Sequence, residues 1–234
     1  YSISYYGYAC KNKTINEIPL DAFKNMFDEI ANTCADNSAI TVIGKGKGAE
    51  LALNLANYYP EINNLILYSP SSYNFQSLDS NGKQTYSSWT YNGKPVEYID
   101  FSKNSFIDKS IHFISSKLSF PQSYIGDYEQ AIKKANNLES ARIKTDSFDG
   151  NILMFAGEKD KYWNSSEMAS VIYENHPNKD KIEVITYENA GHNFLTDKHY
   201  NLVTYGGNYE NNFSAHIDSA KIAKEKLALW HPNV

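Results

Sequence analysis

The sequence predicts an α/β fold in which a mostly parallel sheet is flanked by helices. Short runs of aliphatic and β-branched residues alternate along the chain with longer segments of helical periodicity. The short runs are apolar on both faces, which is typical of parallel strands that helices cover on both sides. With 234 residues, of which 41% are hydrophobic, the chain can bury a sizeable core, and we expect a single domain over residues 1–234.

Four elements are predicted in the first third of the chain. Residues 18–31 carry apolar side chains at helical spacing, which predicts a helix. Residues 39–43 form a short β-branched run that ends at a glycine, as expected of a buried strand. A second helical stripe over 49–57 stops before Pro60, and the aliphatic run over 64–68 predicts the next strand.

The same alternation returns in the last third of the chain. Aliphatic runs predict strands over 152–156 and 182–187, and the segment 161–176 between them has apolar residues on one helical face. Residues 214–230 are expected to form a closing helix. This order of strands and helices again favours parallel strands joined by crossover helices.

Residues 72–135 interrupt the alternation. The segment is rich in Ser, Asn, Tyr and Phe, with turn signals at 80–82 and 91–93, and helical patterning returns over 128–137. An insertion of this length between two strands of a sheet is typical of a functional cap or of a disordered loop. Its many aromatic residues favour an ordered, apolar cap inserted within the domain.

Charge and composition argue against several classes of protein. The formal net charge is −5, whereas a general binder of nucleic acid or of anionic membranes presents a basic face. The sequence holds no run of 18 apolar residues, so no membrane-spanning segment is expected. Cys10 and Cys34 lack the spacing of metal or redox motifs, and a disulfide between them stays open as an alternative. With so few cysteines a cytoplasmic location is the default, and neither a metal nor a cofactor is expected.

The segment Gly-Lys-Gly-Lys-Gly at 44–48 lies between a predicted strand and a predicted helix, and three interpretations compete. It lacks the Lys-Ser/Thr ending of a phosphate-binding P-loop. A dinucleotide-binding turn is formally matched by Gly44, Gly46 and Ala49, but no acidic residue ends the next strand, which leaves nucleotide binding as a minor alternative. The third interpretation is a nucleophile elbow, Gly-x-Ser-x-Gly, whose central position holds Gly46.

A nucleophile elbow needs an acid after a later strand and a histidine after the last strand, and both are present. Asp160 follows the strand predicted over 152–156, and His192 follows the strand predicted over 182–187. In such a triad the histidine takes a proton from the nucleophile, while the acid fixes the tautomer of the histidine and stabilises the imidazolium. The order of these three positions therefore predicts a hydrolase scaffold.

Several longer motifs surround these positions. They read Gly-Lys-Gly-Lys-Gly-Ala-Glu at 44–50, Gly-Glu-Lys-Asp-Lys-Tyr-Trp-Asn-Ser at 157–165, Tyr-Glu-Asn-Ala-Gly-His at 187–192, and Gly-Gly at 206–207 ahead of a helix that closes on Trp230. Together they resemble the C-terminal domain shared by acyl-CoA thioesterases and bile acid-CoA:amino acid N-acyltransferases, in the dienelactone-hydrolase-like branch of the α/β-hydrolases. Trp-Thr-Tyr-Asn-Gly-Lys-Pro at 89–95 also resembles the cap of that family.

The resemblance implies an α/β-hydrolase fold and chemistry on a small-molecule acyl ester or acyl-CoA, with water or an amine as the acceptor. It implies that Asp160 and His192 keep their triad roles and that the backbone N–H of Lys47 is one oxyanion donor. Three aromatic residues are weaker candidates for substrate contact, namely Trp89, Tyr91 and Trp163.

Two features depart from the family pattern. Gly46 offers no attacking atom, and removal of a triad nucleophile lowers the rate by about 10⁶-fold. The domain of the family also begins with three strands and a helix ahead of the part that matches residues 1–8, and the loop after its third strand supplies the other oxyanion donor. With these strands absent, we expect an upstream segment or a partner chain to pair beside Tyr1–Tyr8.

Two interpretations of the glycine remain open. In the first, the chain is an inactivated form of an active serine hydrolase, because both partners of the nucleophile are intact. In the second, it is a natural pseudo-hydrolase that binds an acyl ligand or a protein, and the Asp160–His192 pair is kept for the stability of a buried hydrogen bond.

Overall fold

The computed structural model describes residues 4–6, 14–33, 39–77, 85–105, 114–115, 117–194 and 199–232. Its strands are β1 (Ile18–Pro19), β2 (Ile40–Lys45), β3 (Ile62–Tyr68), β4 (Trp89–Tyr91), β5 (Lys94–Pro95), β6 (Asn151–Gly157), β7 (Ile182–Tyr187), β8 (His199–Tyr200) and β9 (Val203–Thr204). Its α-helices are α1 (Lys24–Thr33), α2 (Lys47–Tyr58), α3 (Ile125–Lys134), α4 (Leu138–Ala141), α5 (Ser165–Asn175) and α6 (Tyr209–Trp230). Two 3₁₀ turns, Leu20–Phe23 and Lys179–Lys181, precede α1 and β7.

The centre of the fold is a parallel sheet that has the strand order β2-β3-β6-β7 in the described residues. In its register Lys45 pairs with Tyr68, Tyr68 with Phe155, and Gly157 with Tyr187, so the carboxyl ends of the strands lie side by side. Loops that follow these ends must therefore meet at one edge of the sheet. Gly46, Asp160 and His192 all follow strands that end at this edge.

The two faces of the sheet bury different clusters of apolar side chains, as the alternation of side chains along a strand requires. On β3, Leu65 and Leu67 belong to one cluster, with Leu55 of α2 and Ile172 of α5. Ile66, between them, belongs to a second cluster that includes alanines of α6. All three β3 side chains are completely buried. Helices thus cover both faces of a mostly parallel sheet, and the predicted fold class is confirmed.

Every strand and helix predicted outside the segment 72–135 and the first residues is present, with bounds that differ by a few residues. Two helices begin at different residues from those expected, because an asparagine caps each of them. The side chain of Asn164 accepts a hydrogen bond from the backbone of Glu167 at the start of α5, and Asn208 does the same for Asn211 at the start of α6.

The helix expected over 18–31 is correct only from Lys24 onward. Ile18 precedes a proline, which disfavours helical backbone at that residue, and its N–H donates instead to the carbonyl of Ser88. Ile18 and Pro19 thus pair in parallel with β4, and a 3₁₀ turn separates that pair from the helix. The strand expected over residues 1–8 falls mostly outside the described residues, and the three that are described, 4–6, are not in a strand.

Within the segment 72–135, the turn signal at 91–93 is confirmed and the helix is shifted. β4 and β5 form a hairpin whose turn residues Asn92 and Gly93 have φ angles of 50° and 72°. The helix spans Ile125–Lys134 rather than 128–137, and the backbone is already extended at Ala135. The turn signal at 80–82 lies outside the described residues, and the interpretation of 72–135 as a cap stays a prediction.

A third apolar cluster links this segment to the main sheet. It contains Phe75, Ile99 and Tyr128 from the segment together with Trp163, which follows the acid motif. Phe75 stacks its ring on Phe101 and meets Tyr128 edge-on.

Among the described residues, none of the helices combines the length and the apolarity that crossing a membrane requires.

Candidate active site

The glycine-rich segment forms a tight turn from β2 into α2. Gly46 lies between the two elements with φ 55° and ψ −120°, a conformation that glycine adopts without strain. Its N–H donates to the carbonyl of Tyr68 at 2.9 Å, and its carbonyl accepts the N–H of Ala49 at 2.9 Å. Gly44 is also required, because a Cβ there would collide with the backbone of Gly48. The turn has the form of a nucleophile elbow, with its central residue directed out of the sheet edge.

The acid and the histidine meet at this edge. Asp160 follows β6, His192 follows β7, and Asp160 Oδ2 lies 2.8 Å from His192 Nδ1. Both residues are buried, at 3% and 7% exposure. A carboxylate only accepts hydrogen bonds, so Nδ1 carries the proton of this bond, and Nε2 lies on the far side of the ring. The neighbouring carboxylate can stabilise a positive charge on this ring.

Backbone groups hold both members of the pair. The second carboxylate oxygen of Asp160 accepts N–H groups of Tyr162 and Trp163 at 2.8 and 3.1 Å. The N–H of His192 donates to the carbonyl of Tyr205 at 2.8 Å, and the hydroxyl of Ser69 donates to the carbonyl of His192 at 2.7 Å. These contacts fix the direction of the carboxylate and the position of the histidine backbone.

Three aromatic rings enclose the imidazole. Trp163 meets it edge-on with the ring centroids 4.9 Å apart, Tyr162 lies at 4.9 Å, and Tyr205 stacks on it at 5.8 Å. Burial raises the pKa of Tyr162 to about 12, so its phenol is neutral at physiological pH. The imidazole is thus oriented by packing, and its one close acidic neighbour in the described residues is Asp160.

The remaining ring nitrogen of His192 faces the elbow. A Cβ placed on Gly46 would lie 3.0 Å from Nε2 and 3.6 Å from Cε1. Within the described part of the chain, no other heavy atom beyond its chain neighbours lies within 4 Å of that point. The structure therefore brings Gly46, His192 and Asp160 together in the spatial order of nucleophile position, histidine and acid.

Lys47 contributes its backbone and its side chain in different places. As the first residue of α2, its N–H lies at the positive end of the helix dipole, next to Gly46. Its ammonium is buried and bonds both carboxylate oxygens of Glu50, at 2.6 and 2.8 Å, as well as the carbonyl of Phe75 at 3.1 Å. The side chain thus braces the elbow against the segment 72–135.

Of the three aromatic candidates for substrate contact, Trp163 is brought to the histidine and the other two are not. Trp89 is completely buried, and its indole N–H donates to Glu50 at 2.7 Å. Tyr91 stacks on Tyr58, the last residue of α2, with the ring centroids 3.8 Å apart. A helix of this length separates Tyr58 from the elbow by about 16 Å.

Sequence reasoning missed Tyr162 and Tyr205 as neighbours of the imidazole. The neighbouring motifs could have identified them, because Tyr162 lies within the acid motif and Tyr205 directly precedes the Gly-Gly pair at 206–207. A Cβ on Gly206 would collide with the carbonyl of Lys159, so the glycine lets the two segments pass close together. The Gly-Gly pair thus positions Tyr205 at the site.

Other kinds of site find little support in the described residues. No group of three or more His, Cys, Asp and Glu side chains there could hold a metal ion. The strand after the glycine-rich turn, β3, is followed by Ser69, whose side chain is bonded to the backbone of His192. A carboxylate of the kind that holds a ribose is therefore not found at the end of β3.

The parallel sheet, the elbow at the end of β2, and the acid and histidine after β6 and β7 define an α/β-hydrolase fold. The family model described as BAAT / acyl-CoA thioester hydrolase C terminal matches residues 30–196. The chain belongs to this family.

Solved structures that resemble the chain are distant from it. The esterase domain of a Rhodothermus marinus protein aligns with a TM-score of 0.35 and 11% identity, over 77% of this chain and 58% of its own length. An α/β hydrolase from the metagenome of sediments from the lagoon of Mar Chica, Morocco, gives 0.45 and 10%, over 96% and 76%. Bromoperoxidase from Bacillus anthracis gives 0.44 and 14%, over 97% and 79%. None of the curated proteins compared with the chain is significantly similar to it.

Proposed function

We propose that this chain is an acyl thioester or ester hydrolase, or acyltransferase, of the serine-hydrolase type in which Gly46 blocks the covalent route. It is the inactivated form of an active enzyme. The observation that carries the proposal is the distance of 3.0 Å between His192 Nε2 and the Cβ position of Gly46, beside an intact bond of 2.8 Å to Asp160. Both partners are in place for a hydroxyl that the glycine does not supply.

With a serine at this position, the reaction would follow the ordinary triad course. The serine oxygen would attack the acyl carbonyl while Nε2 takes its proton, and the N–H of Lys47 would donate to the oxyanion. His192 would then protonate the leaving thiolate or alkoxide and activate water or an amine. The family match supports a small-molecule acyl ester or acyl-CoA as substrate. A cytoplasmic location is part of this proposal and has the low cysteine content as its support.

The natural pseudo-hydrolase is the second candidate, and the backbone at the elbow is the observation that favours it. The φ of 55° at Gly46 strains every other residue type by about 1–3 kcal/mol. A chain relieved of catalysis would gain stability from this glycine. In that case the Asp160–His192 bond is structural, and the chain binds an acyl ligand or a protein without turnover.

The test compares Gly46→Ser with Gly46→Ala on nitrophenyl esters and on acyl-CoAs of graded length. Both variants add the same Cβ beside His192 and the same backbone strain, and only serine adds a nucleophile. We expect Gly46→Ser to exceed Gly46→Ala by several orders of magnitude and to form an acyl-enzyme that mass spectrometry detects. Equal rates in the two variants, with both folded, would reject the proposal in favour of the pseudo-hydrolase.

A further inference from the structure

In the described part of the chain, only His192 lies within 4 Å of the Cβ position of Gly46, apart from the glycine itself and its chain neighbours. Gly46 places only hydrogen where a serine would extend its hydroxymethyl group toward Nε2. A water molecule can lie on this side of the ring at an ordinary hydrogen-bond distance of about 2.8 Å from Nε2. Because it is not bonded to the chain, it would stand farther from the Gly46 backbone than a serine oxygen.

We propose that the chain as it stands hydrolyses activated acyl thioesters and esters slowly, with water as the direct nucleophile and the Asp160–His192 pair as general base. This inference rests on the acyl substrate of the proposed function. It adds a reaction that needs no side chain at Gly46. In this reaction the glycine changes the route of hydrolysis from covalent to direct.

The reaction balances with the groups present. His192 Nε2 accepts a proton from the water as the water oxygen bonds to the carbonyl carbon, and the carbonyl electrons move to an oxyanion beside the N–H of Lys47. The oxyanion then collapses, the carbon–sulfur or carbon–oxygen bond breaks, and Nε2–H returns its proton to the leaving thiolate or alkoxide. The products are a carboxylic acid and a thiol or alcohol. No acyl-enzyme forms at any step.

The surroundings of the ring suit a base that must charge and discharge. Asp160 faces Nδ1, and the ring centroids of Tyr162 and Tyr205 lie 4.9 and 5.8 Å from that of the imidazole. The ammonium of Lys45 is bonded to the side chain of Asn193, the residue after His192. General-base catalysis contributes about 10²–10⁴-fold, whereas an intact triad contributes about 10⁶-fold, so the direct route is the slower one.

The experiment measures hydrolysis of nitrophenyl acetate and acetyl-CoA by the unmodified chain, His192→Gln and Gly46→Ala. We expect His192→Gln to lower the rate about 10²-fold, because the general base is lost. We expect Gly46→Ala to lower it at least about tenfold, because the methyl group takes the room of the water while the pair with Asp160 stays intact. His199→Gln, an exposed histidine outside the site, is the matched control and should retain the full rate.

Equal rates for the unmodified chain and His192→Gln would overturn the inference, and so would an unchanged rate in Gly46→Ala. A contaminating hydrolase would give equal rates throughout and therefore counts against it. Asp160→Asn provides a second loss of function if His192→Gln fails to fold. The two proposals can fail separately. If Gly46→Ser is inactive while hydrolysis by the unmodified chain depends on His192, only the covalent scaffold is rejected. A histidine-independent unmodified chain beside active Gly46→Ser rejects only the direct route.

Discussion

Two buried acid–base pairs lie at the same edge of the sheet, and they differ in what remains open around them. Asp160 and His192 are joined at 2.8 Å, and Lys47 and Glu50 at 2.6 Å. The Glu50 carboxylate also accepts the indole N–H of Trp89, and the Lys47 ammonium also donates to the carbonyl of Phe75. In the described residues His192 Nε2 has no such partner, and it faces the elbow.

Burial of a charged pair does not by itself indicate catalysis, as the Lys47–Glu50 pair shows. Burial raises the pKa of Glu50 and lowers that of Lys47, while their mutual attraction opposes both shifts. Every polar group of that pair is bonded inside the protein, so it can hold the elbow but cannot exchange a proton with a substrate. Within the described segments, Nε2 of His192 is bonded to no other group and faces the turn, so this pair has a ring nitrogen that a substrate or water can reach.

The largest expected effect is on the Asp160–His192 pair in the Gly46→Ser background. Asp160→Asn replaces the charge that stabilises the imidazolium and presents the wrong hydrogen-bonding group to Nδ1, so we expect kcat/KM to fall about 10⁴-fold. Steady-state hydrolysis of nitrophenyl esters measures the fall. Asp149→Asn, an exposed aspartate bonded to Lys181, is the matched control and should keep the rate. A loss below tenfold for Asp160→Asn would make both buried pairs structural.

The next effect is on stability and concerns the Lys47–Glu50 pair. Lys47→Met keeps the backbone N–H but leaves the carboxylate of Glu50 buried without its cation, so we expect the free energy of unfolding to fall by about 3–5 kcal/mol. Urea unfolding at neutral pH measures it. Lys47→Met with Glu50→Gln removes the charge and retains an oxygen for the indole of Trp89, and it should regain a large part of the loss. Equal stability of the single and double variants would contradict an uncompensated charge as the cause.

The difference between the two pairs also explains what could be predicted from the sequence. Asp160 and His192 can be predicted from the sequence because loops after the carboxyl ends of parallel strands must meet at one edge of the sheet. Lys47 and Glu50 are spaced to meet on one helix turn, but their outer partners come from residues 75 and 89, within a segment that has little periodicity. Contacts between loops distant in sequence depend on packing, which no local pattern specifies.

A smaller effect is expected when one outer partner of the ion pair is removed. Trp89→Phe keeps an aromatic ring in the core but deletes the indole N–H bonded to Glu50, so the free energy of unfolding should fall by about 1–3 kcal/mol. Trp163→Phe deletes a comparable bond, to the carbonyl of Ser69, from a ring that also packs on His192. In the Gly46→Ser background we therefore expect Trp163→Phe to lower the activity and Trp89→Phe to leave it unchanged. Thermal unfolding and ester hydrolysis, measured together, separate the two roles. Equal losses of activity would place both rings at the reacting groups.

The smallest effect distinguishes the two lysines that flank Gly46. Lys47 is closed in by its partners, whereas Lys45 is exposed as a residue but has an amine that is partly shielded from water and bonded to the side chain of Asn193. Desolvation of that amine lowers the pKa of Lys45 to about 8. Because the folded-state pKa lies below the ordinary value of a lysine, the contribution of Lys45 to stability increases as the pH rises above 8 toward that value.

Competitive acetylation with acetic anhydride, followed by mass spectrometry across a pH series, tests this difference. Only the neutral amine reacts, so we expect Lys45 to reach half of its maximal reactivity near pH 8, whereas fully exposed lysines do so near their ordinary pKa of about 10.4. Lys47 should stay protected throughout this range, because its amine donates to Glu50 and Phe75 inside the core. Acetylation of Lys47 in the folded protein at the rate of Lys45 would show that the buried ion pair opens. The Lys47–Glu50 pair would then no longer differ from the Asp160–His192 pair in being closed to reagents from solvent.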